Sequence, residues 1–173
     1  NQAIRYVLAL PGGGSLLFPQ GAYDVSEIDA TNDDPTQFYK ILKLKGSGPF
    51  ATKIRSATSN RILLNAIGRN NMHVEDMQFL SLRFQSQAAI YLCRSEKSPN
   101  CNNNKFENLS ISGNYSKSSI ISIGAESTSW SRCRFENSNK INKHICFFTS
   151  HDCDSIELSY NLPHKKISGP NTD

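Results

Sequence analysis

No stretch of the 173 residues is long and apolar enough to cross a membrane as a helix. Five cysteines are present, but neither pair of near neighbours has finger-like spacing and no histidine falls in phase with them, which argues against zinc. The chain carries 19 Lys and Arg against 15 Asp and Glu, a formal charge of +4. Its basic groups, Arg132 with Arg134, Lys140 with Lys143 and His144, and His164 with Lys165 and Lys166, lack the interleaved aromatics of a nucleic-acid groove. The charge reads either as a solvated surface or as a face attracted to an acidic polysaccharide. No complete set of catalytic motifs appears anywhere, so no single reaction is written in the chain.

What the sequence has is a repeat. An apolar residue followed by others three and five positions later recurs as Val74, Met77, Phe79; Phe106, Leu109, Ile111; Trp130, Cys133, Phe135; and Cys153, Ile156, Leu158. Starting positions 74, 106, 130 and 153 lie 32, 24 and 23 residues apart, a period of stacked-coil architectures. A second series, Ile62 and Leu64, Ile90 and Leu92, Ile121 and Ile123, Ile145 and Phe147, has the two-residue spacing of one strand face. A weaker third column runs through Phe84, Tyr115, Ile141 and Leu162, giving three strands per coil. Spacing is nearly constant from the first series to the second and variable from the second to the next first, so insertions are expected at one corner, where such folds place function. The fold class is therefore all-β: a parallel β-helix in which each coil buries its apolar face on its neighbours. One domain, 1–173, is expected, with a capping helix at 1–12, a first strand and loop at 13–37 and stacked coils at 38–173. The expected capping helix begins at the first residue, so an N-terminal excerpt of a longer chain is expected. Asn108 is a candidate for a corner ladder of asparagines. Cys133 and Cys153 fall on core positions. Cys93 and Cys101 flank the longest insertion, where a bridge would staple the loop in an oxidising compartment.

Gly13-Gly14-Ser15-Leu16-Leu17-Phe18-Pro19-Gln20-Gly21-Ala22-Tyr23, preceded by a helix and followed by Leu42-Lys43-Leu44-Lys45-Gly46, resembles the opening of the pectate-lyase-like right-handed β-helix superfamily. That resemblance implies a right-handed, single-stranded β-helix in a secreted or virion-borne protein that binds and cleaves polysaccharide. A bacteriophage tailspike depolymerase is the first choice within it, as a homotrimer, with hydrolysis favoured slightly over elimination. The alternatives are a non-catalytic glycan-binding or structural spike and a polygalacturonase-type fragment. No nucleic acid, membrane or cofactor is expected; calcium would enter only for a lyase.

Glycoside hydrolysis needs two carboxyl groups about 5–5.5 or 6.5–9.5 Å apart. Glu75 and Glu107 sit at equivalent positions of adjacent coils, where like charge would raise one pKa; both fall at a corner, which points instead to solvated carboxylates. The resembling enzymes place their cleft on the column that here begins Ile62, Ile90, Ile121 and Ile145. Its outward residues, Leu63, Tyr91, Ser122 and Cys146, then Asn65, Cys93, Gly124 and Phe148, carry no carboxylate. Tyr91 and Phe148 offer flat faces to sugar rings or pack under a loop, with His144 and His151 as polar neighbours. Glu126 and Asp152 are the nearest loop acids, with Glu96 in the large insertion. Asn171-Thr172-Asp173 resembles a polygalacturonase motif, which implies Asp173 as an acid of the catalytic set.

Overall fold

The computed structural model describes residues 1–95, 97, 101–125, 127–137, 143–148 and 156–159. Helix α1 (Gln2–Ala9) places Ile4, Val7 and Leu8 on one buried face, the i, i+3, i+4 stripe of an amphipathic helix. It lies against the first coil, and the chain turns extended at Leu10, just before Pro11 removes the next amide donor.

Every strand pair is parallel, and the strands stack in three columns over about four turns. The first column holds β1 (Gly13–Leu17), β4 (Ile41–Lys45), the start of β7 (Met72–Ser86), the start of β9 (Lys105–Tyr115), β11 (Thr128–Ser131) and β14 (Ile156–Ser159). The second holds β2 (Gly21–Val25), β5 (Thr52–Ser56), the later parts of β7 and β9, and β12 (Arg134–Asn137). The third holds β3 (Ile28–Asp29), β6 (Ile62–Ile67), β8 (Ala88–Cys93), β10 (Ser118–Ile123) and β13 (Lys143–Phe148). The expected β-helix is therefore present, with inward rows such as Leu44, Val74, Phe106 and Trp130 in register. Phe106 and Trp130 stack with ring centroids 4.0 Å apart.

Several expectations need correction. The triangle is closed by splitting the first apolar series at a bend, not by an extra column: Val74 belongs to the first column and Met77 and Phe79 to the second. Tyr115 is buried where Ser86 meets it, and Phe84 lies in an excursion between Ser81 and Ser86. Ile141 and Leu162 lie outside the described residues.

In the third column, Ile120 rather than Ile121 stacks on Ile90, Ile121 stacks on Tyr91, and Leu64 rather than Ile62 stacks on Ile90. A slip of one residue exchanges the two faces of a strand. Here the turn decides it: Ser116 N–H donates to Ser86 O at 2.8 Å and Lys117 N–H to Gln87 O at 3.1 Å, which fixes where β10 begins. Ser122 therefore faces inward, fully buried, and Ile123 faces out.

In β14, Leu158 sits over Trp130, the place expected for Cys153. With Cys153 there the strand would begin at 151, leaving only residues 149 and 150 to turn the corner after Phe148. At this third-to-first corner the tightest described turns, 68–71 and 124–127, use four.

Insertions also occur at more than one corner. The third-to-first corner varies as expected, from 68–71 to 94–104, but Gly46–Ala51 and Leu82–Gln85 enlarge the other two. In place of the expected ladder of asparagines, the first bend holds one mixed rung, in which Asn108 Nδ2 donates to Asp76 Oδ1 at 2.6 Å.

Candidate functional site

Alternation in the first column sends Leu42, Leu44 and Val74 inward and the residues between them outward. Register then aligns two outward rows: Ser15, Lys43, His73, Lys105 and Ser129; and Leu17, Lys45, Glu75, Glu107 and Ser131. Neighbouring strands lie about 4.8 Å apart, so charged groups that are remote in sequence become immediate neighbours.

At the centre, Glu75 Oε1 receives Lys45 Nζ at 2.6 Å and Lys43 Nζ at 2.9 Å. His73 Nε2 lies 3.2 Å from Glu75 Oε2 and 3.6 Å from Glu107 Oε2. No oxygen stands in line with that nitrogen, which is sealed from solvent without a hydrogen-bond partner among the described residues. Arg132, at the next bend, pairs with Glu107 Oε1. Asp76 lies 3.6 Å from Lys45 Nζ. Burial pushes the Glu75 carboxyl pKa up, but Lys45, Lys43 and His73 outweigh it and hold the carboxyl below the usual glutamate range. Glu75 also raises the Lys45 ammonium, chiefly through their hydrogen bond.

The expectation of two solvated corner carboxylates fails for Glu75, which is 7% exposed. It sits one residue before the bend at Asp76, so it belongs to the strand face and is covered by the lysines of the coil below. The cluster was legible in one respect overlooked in the sequence: Lys43-Leu44-Lys45, His73-Val74-Glu75 and Lys105-Phe106-Glu107 place an outward polar pair around each inward apolar residue at equivalent coil positions.

Calcium takes six to eight oxygen ligands. The described cluster offers two carboxylates already bound by ammonium and guanidinium groups, beside an imidazole, so it does not fit calcium. His73, Glu75 and Glu107 could hold a smaller ion that accepts nitrogen.

Of the residues singled out from the sequence, Tyr91 faces outward on β8, half-buried, beside Asn65 below and Ile121 above. Burial, with a hydrogen bond to Cys93, pushes its phenol pKa up. The outward row of the third column among the described residues, Asn65, Tyr91 and Ile121, followed by Ile67, Cys93 and Ile123, is free of carboxylates, although its members differ from those expected. His144 and Phe148 belong to β13, whose side chains lie outside the described residues, as do Glu96, Glu126, His151, Asp152 and Asp173. The structure does not bring Tyr91 into the cluster on the first column. Cys93 and Cys101 are free thiols, as is Cys133. Cys101 and Cys133 are buried as small core groups, and Cys153 lies outside the described residues.

A second concavity, about 370 Å³, is lined by Asp24, Arg55, Leu80, Leu82, Arg83 and Phe84 among others. Arg55 grips Asp24 through two bonds of 2.8 and 2.7 Å, and Arg83 covers the Phe84 ring at 5.4 Å, so its polar groups already have partners. No protein family, curated protein or solved structure matches this chain.

Proposed function

We propose that this β-solenoid binds an acidic polysaccharide along the outer face of its first strand column. The carrying observation is the row Lys43, His73, Lys105 with Lys45 and Arg132 beside it. The row sets nitrogen groups coil by coil at about 4.8 Å, roughly the length of one sugar ring in an extended chain, with the Lys43 and Lys105 ammonium groups two coils apart on either side of the His73 imidazole. A rigid ladder of charge matched to a linear polyanion loses little entropy on binding. The resemblance of residues 13–46 to pectate-lyase-like β-helices supports the same substrate class, and a secreted or virion-tail protein of tailspike type, assembled as a trimer, is the setting it suggests.

Cleavage is the second reading. The ligand oxygens of Glu75 and Glu107 lie within 4.8 Å of each other, near the carboxyl spacing of retaining hydrolases, about 5–5.5 Å. A general acid must hold a proton, however, and both carboxylates are engaged by cations. Binding therefore has the stronger support at this face, and Glu126, Asp152 and Asp173 remain the proposed acids for any hydrolysis elsewhere on the chain.

Calorimetric titration with a polyuronate and with a neutral glucan of similar length tests the proposal. Polyuronate alone binds, more weakly as salt rises, and Lys43→Gln or Lys105→Gln each weakens it by about tenfold to a hundredfold, as expected for a charged contact worth about 1.5–3 kcal/mol. Equal binding of the neutral glucan, or indifference to both substitutions, refutes it. Product analysis on the same mixtures separates hydrolysis, which releases reducing ends alone, from elimination, which adds the ultraviolet absorbance of an unsaturated uronate.

A further inference from the structure

We propose that His73 Nε2, Glu75 Oε2 and Glu107 Oε2 form a binding site for one borderline divalent transition metal ion such as zinc or cobalt. Two nitrogen–oxygen separations in the triad are 3.2 and 3.6 Å, and all three atoms lie within 4.8 Å of one another. An ion with metal–ligand distances of about 2.0–2.2 Å places adjacent ligands about 2.8–3.1 Å apart in an octahedron and about 3.3–3.6 Å apart in a tetrahedron. Two of the three edges have such lengths.

A second observation comes from the histidine. Its Nε2 is shut away from water and has no hydrogen-bond partner among the described residues, although two carboxylate oxygens are within reach. Sealed polar atoms in folded proteins are nearly always satisfied. A cation between the imidazole lone pair and the two oxygens satisfies all three at once, because each then donates electrons to the same centre.

The other oxygen of each carboxylate is held from behind. Lys43 and Lys45 bind Glu75 Oε1, and Arg132 binds Glu107 Oε1. Such outer partners orient ligating oxygens, here turning both Oε2 atoms toward His73. They also subtract negative charge, which disfavours a hard ion held by charge alone and leaves selection to the imidazole. The order of affinities for mixed nitrogen and oxygen sites then favours zinc and cobalt over calcium or magnesium. Three protein ligands leave at least one coordination position open, the arrangement of reactive rather than purely structural sites.

Cobalt(II) titration of the folded chain, without glycan, tests the site. One equivalent binds with ligand-field bands and without thiolate charge-transfer absorbance, zinc displaces it, and a large excess of calcium does not. His73→Ala and Glu107→Gln each weaken binding by about tenfold or more, while Cys93→Ser leaves it unchanged. Zinc shifts one imidazole spin system in the NMR spectrum of the unsubstituted chain, an assay independent of whether either variant folds. Absence of saturable binding, unshifted imidazole resonances, or binding that survives His73→Ala but not Cys93→Ser overturns the proposal. Metal binding is read without polysaccharide, so its failure leaves the glycan titration to be judged alone.

Discussion

Individual polar side chains inside this solenoid hold one corner to the next. Arg69 is fully buried in the corner 68–71 and donates from Nε to Ala30 O and from Nη2 to Thr31 O, each at 2.8 Å. Burial pulls its guanidinium pKa down to about 10, which still leaves it charged at neutral pH. Asn104 repeats the device one coil up: its Oδ1 accepts from Met72 N–H at 3.0 Å, and its Nδ2 donates to Arg69 O at 3.0 Å and Cys101 O at 3.2 Å. Asn104→Ala strands three buried partners at about 1–3 kcal/mol each, so urea denaturation should show a loss of roughly 3 kcal/mol or more; a loss under about 1 kcal/mol would mean that water replaces the side chain. The buried thiols give a pH signature. Burial pushes Cys101 up to about 12 and Cys133 up to about 11, both above an unfolded value of about 8.5. A raised folded pKa means stability that is complete below that value and lost as pH rises toward the folded one. Unfolding free energy should therefore fall above about pH 8.5 by up to ~1.4 kcal/mol per pH unit per thiol, and Cys101→Ala should flatten that slope. An identical slope in the variant would show that Cys101 ionises freely in the native state.

Between the first and second columns, the third, fourth and fifth coils each turn on a single residue with left-handed backbone: Asp76, Asn108 and Arg132 have φ of 57°, 50° and 53°. That conformation costs an ordinary side chain about 1–2 kcal/mol, and asparagine and aspartate tolerate it best after glycine. Asn108→Ala should lower stability by about 1–2 kcal/mol plus the bond to Asp76, and Asn108→Gly should recover most of the backbone share. Equal losses would place the whole effect in the ladder bond. These bends explain what the sequence could and could not reveal. The three-and-five spacing was readable because the bend is one residue long, so Val74 and Met77 stay in phase with Phe106 and Leu109. The face of β10 was not, since adjacent Ile120 and Ile121 satisfy alternation either way and only the hydrogen bonds of the preceding turn choose between them. The cluster on the first column escaped because its partners are about thirty residues apart and meet only through the parallel register. Each half-motif, such as His73-Val74-Glu75, is unremarkable alone.

Across the whole molecule each coil touches chiefly the coils above and below, so stability is close to a sum of coil terms and interfaces. The inward rows run without a break through the coils containing β4, β7 and β9, and β7 with β9 forms the most extensive pairing, from His73 on Lys105 to Ser81 on Gly113. At the other extreme, the coil of β1 to β3 has only short strands and half-buried residues on β1 and β2; its cover is α1, through Ile4, Val7 and Leu8. Burying an aliphatic side chain of that size contributes about 1.5–3 kcal/mol, and placing a carboxylate there adds the cost of an unpaired charge. Val7→Asp should therefore open the first coil while the charged cluster on β7 and β9 survives. Native-state hydrogen exchange resolves the two regions: amides of 13–29 should lose protection in the variant, while those of 105–115 keep theirs. If both regions lose protection together, the coils form one cooperative unit rather than a stack of semi-independent layers, and the cap would then govern the cluster at His73 as well as the edge that it covers.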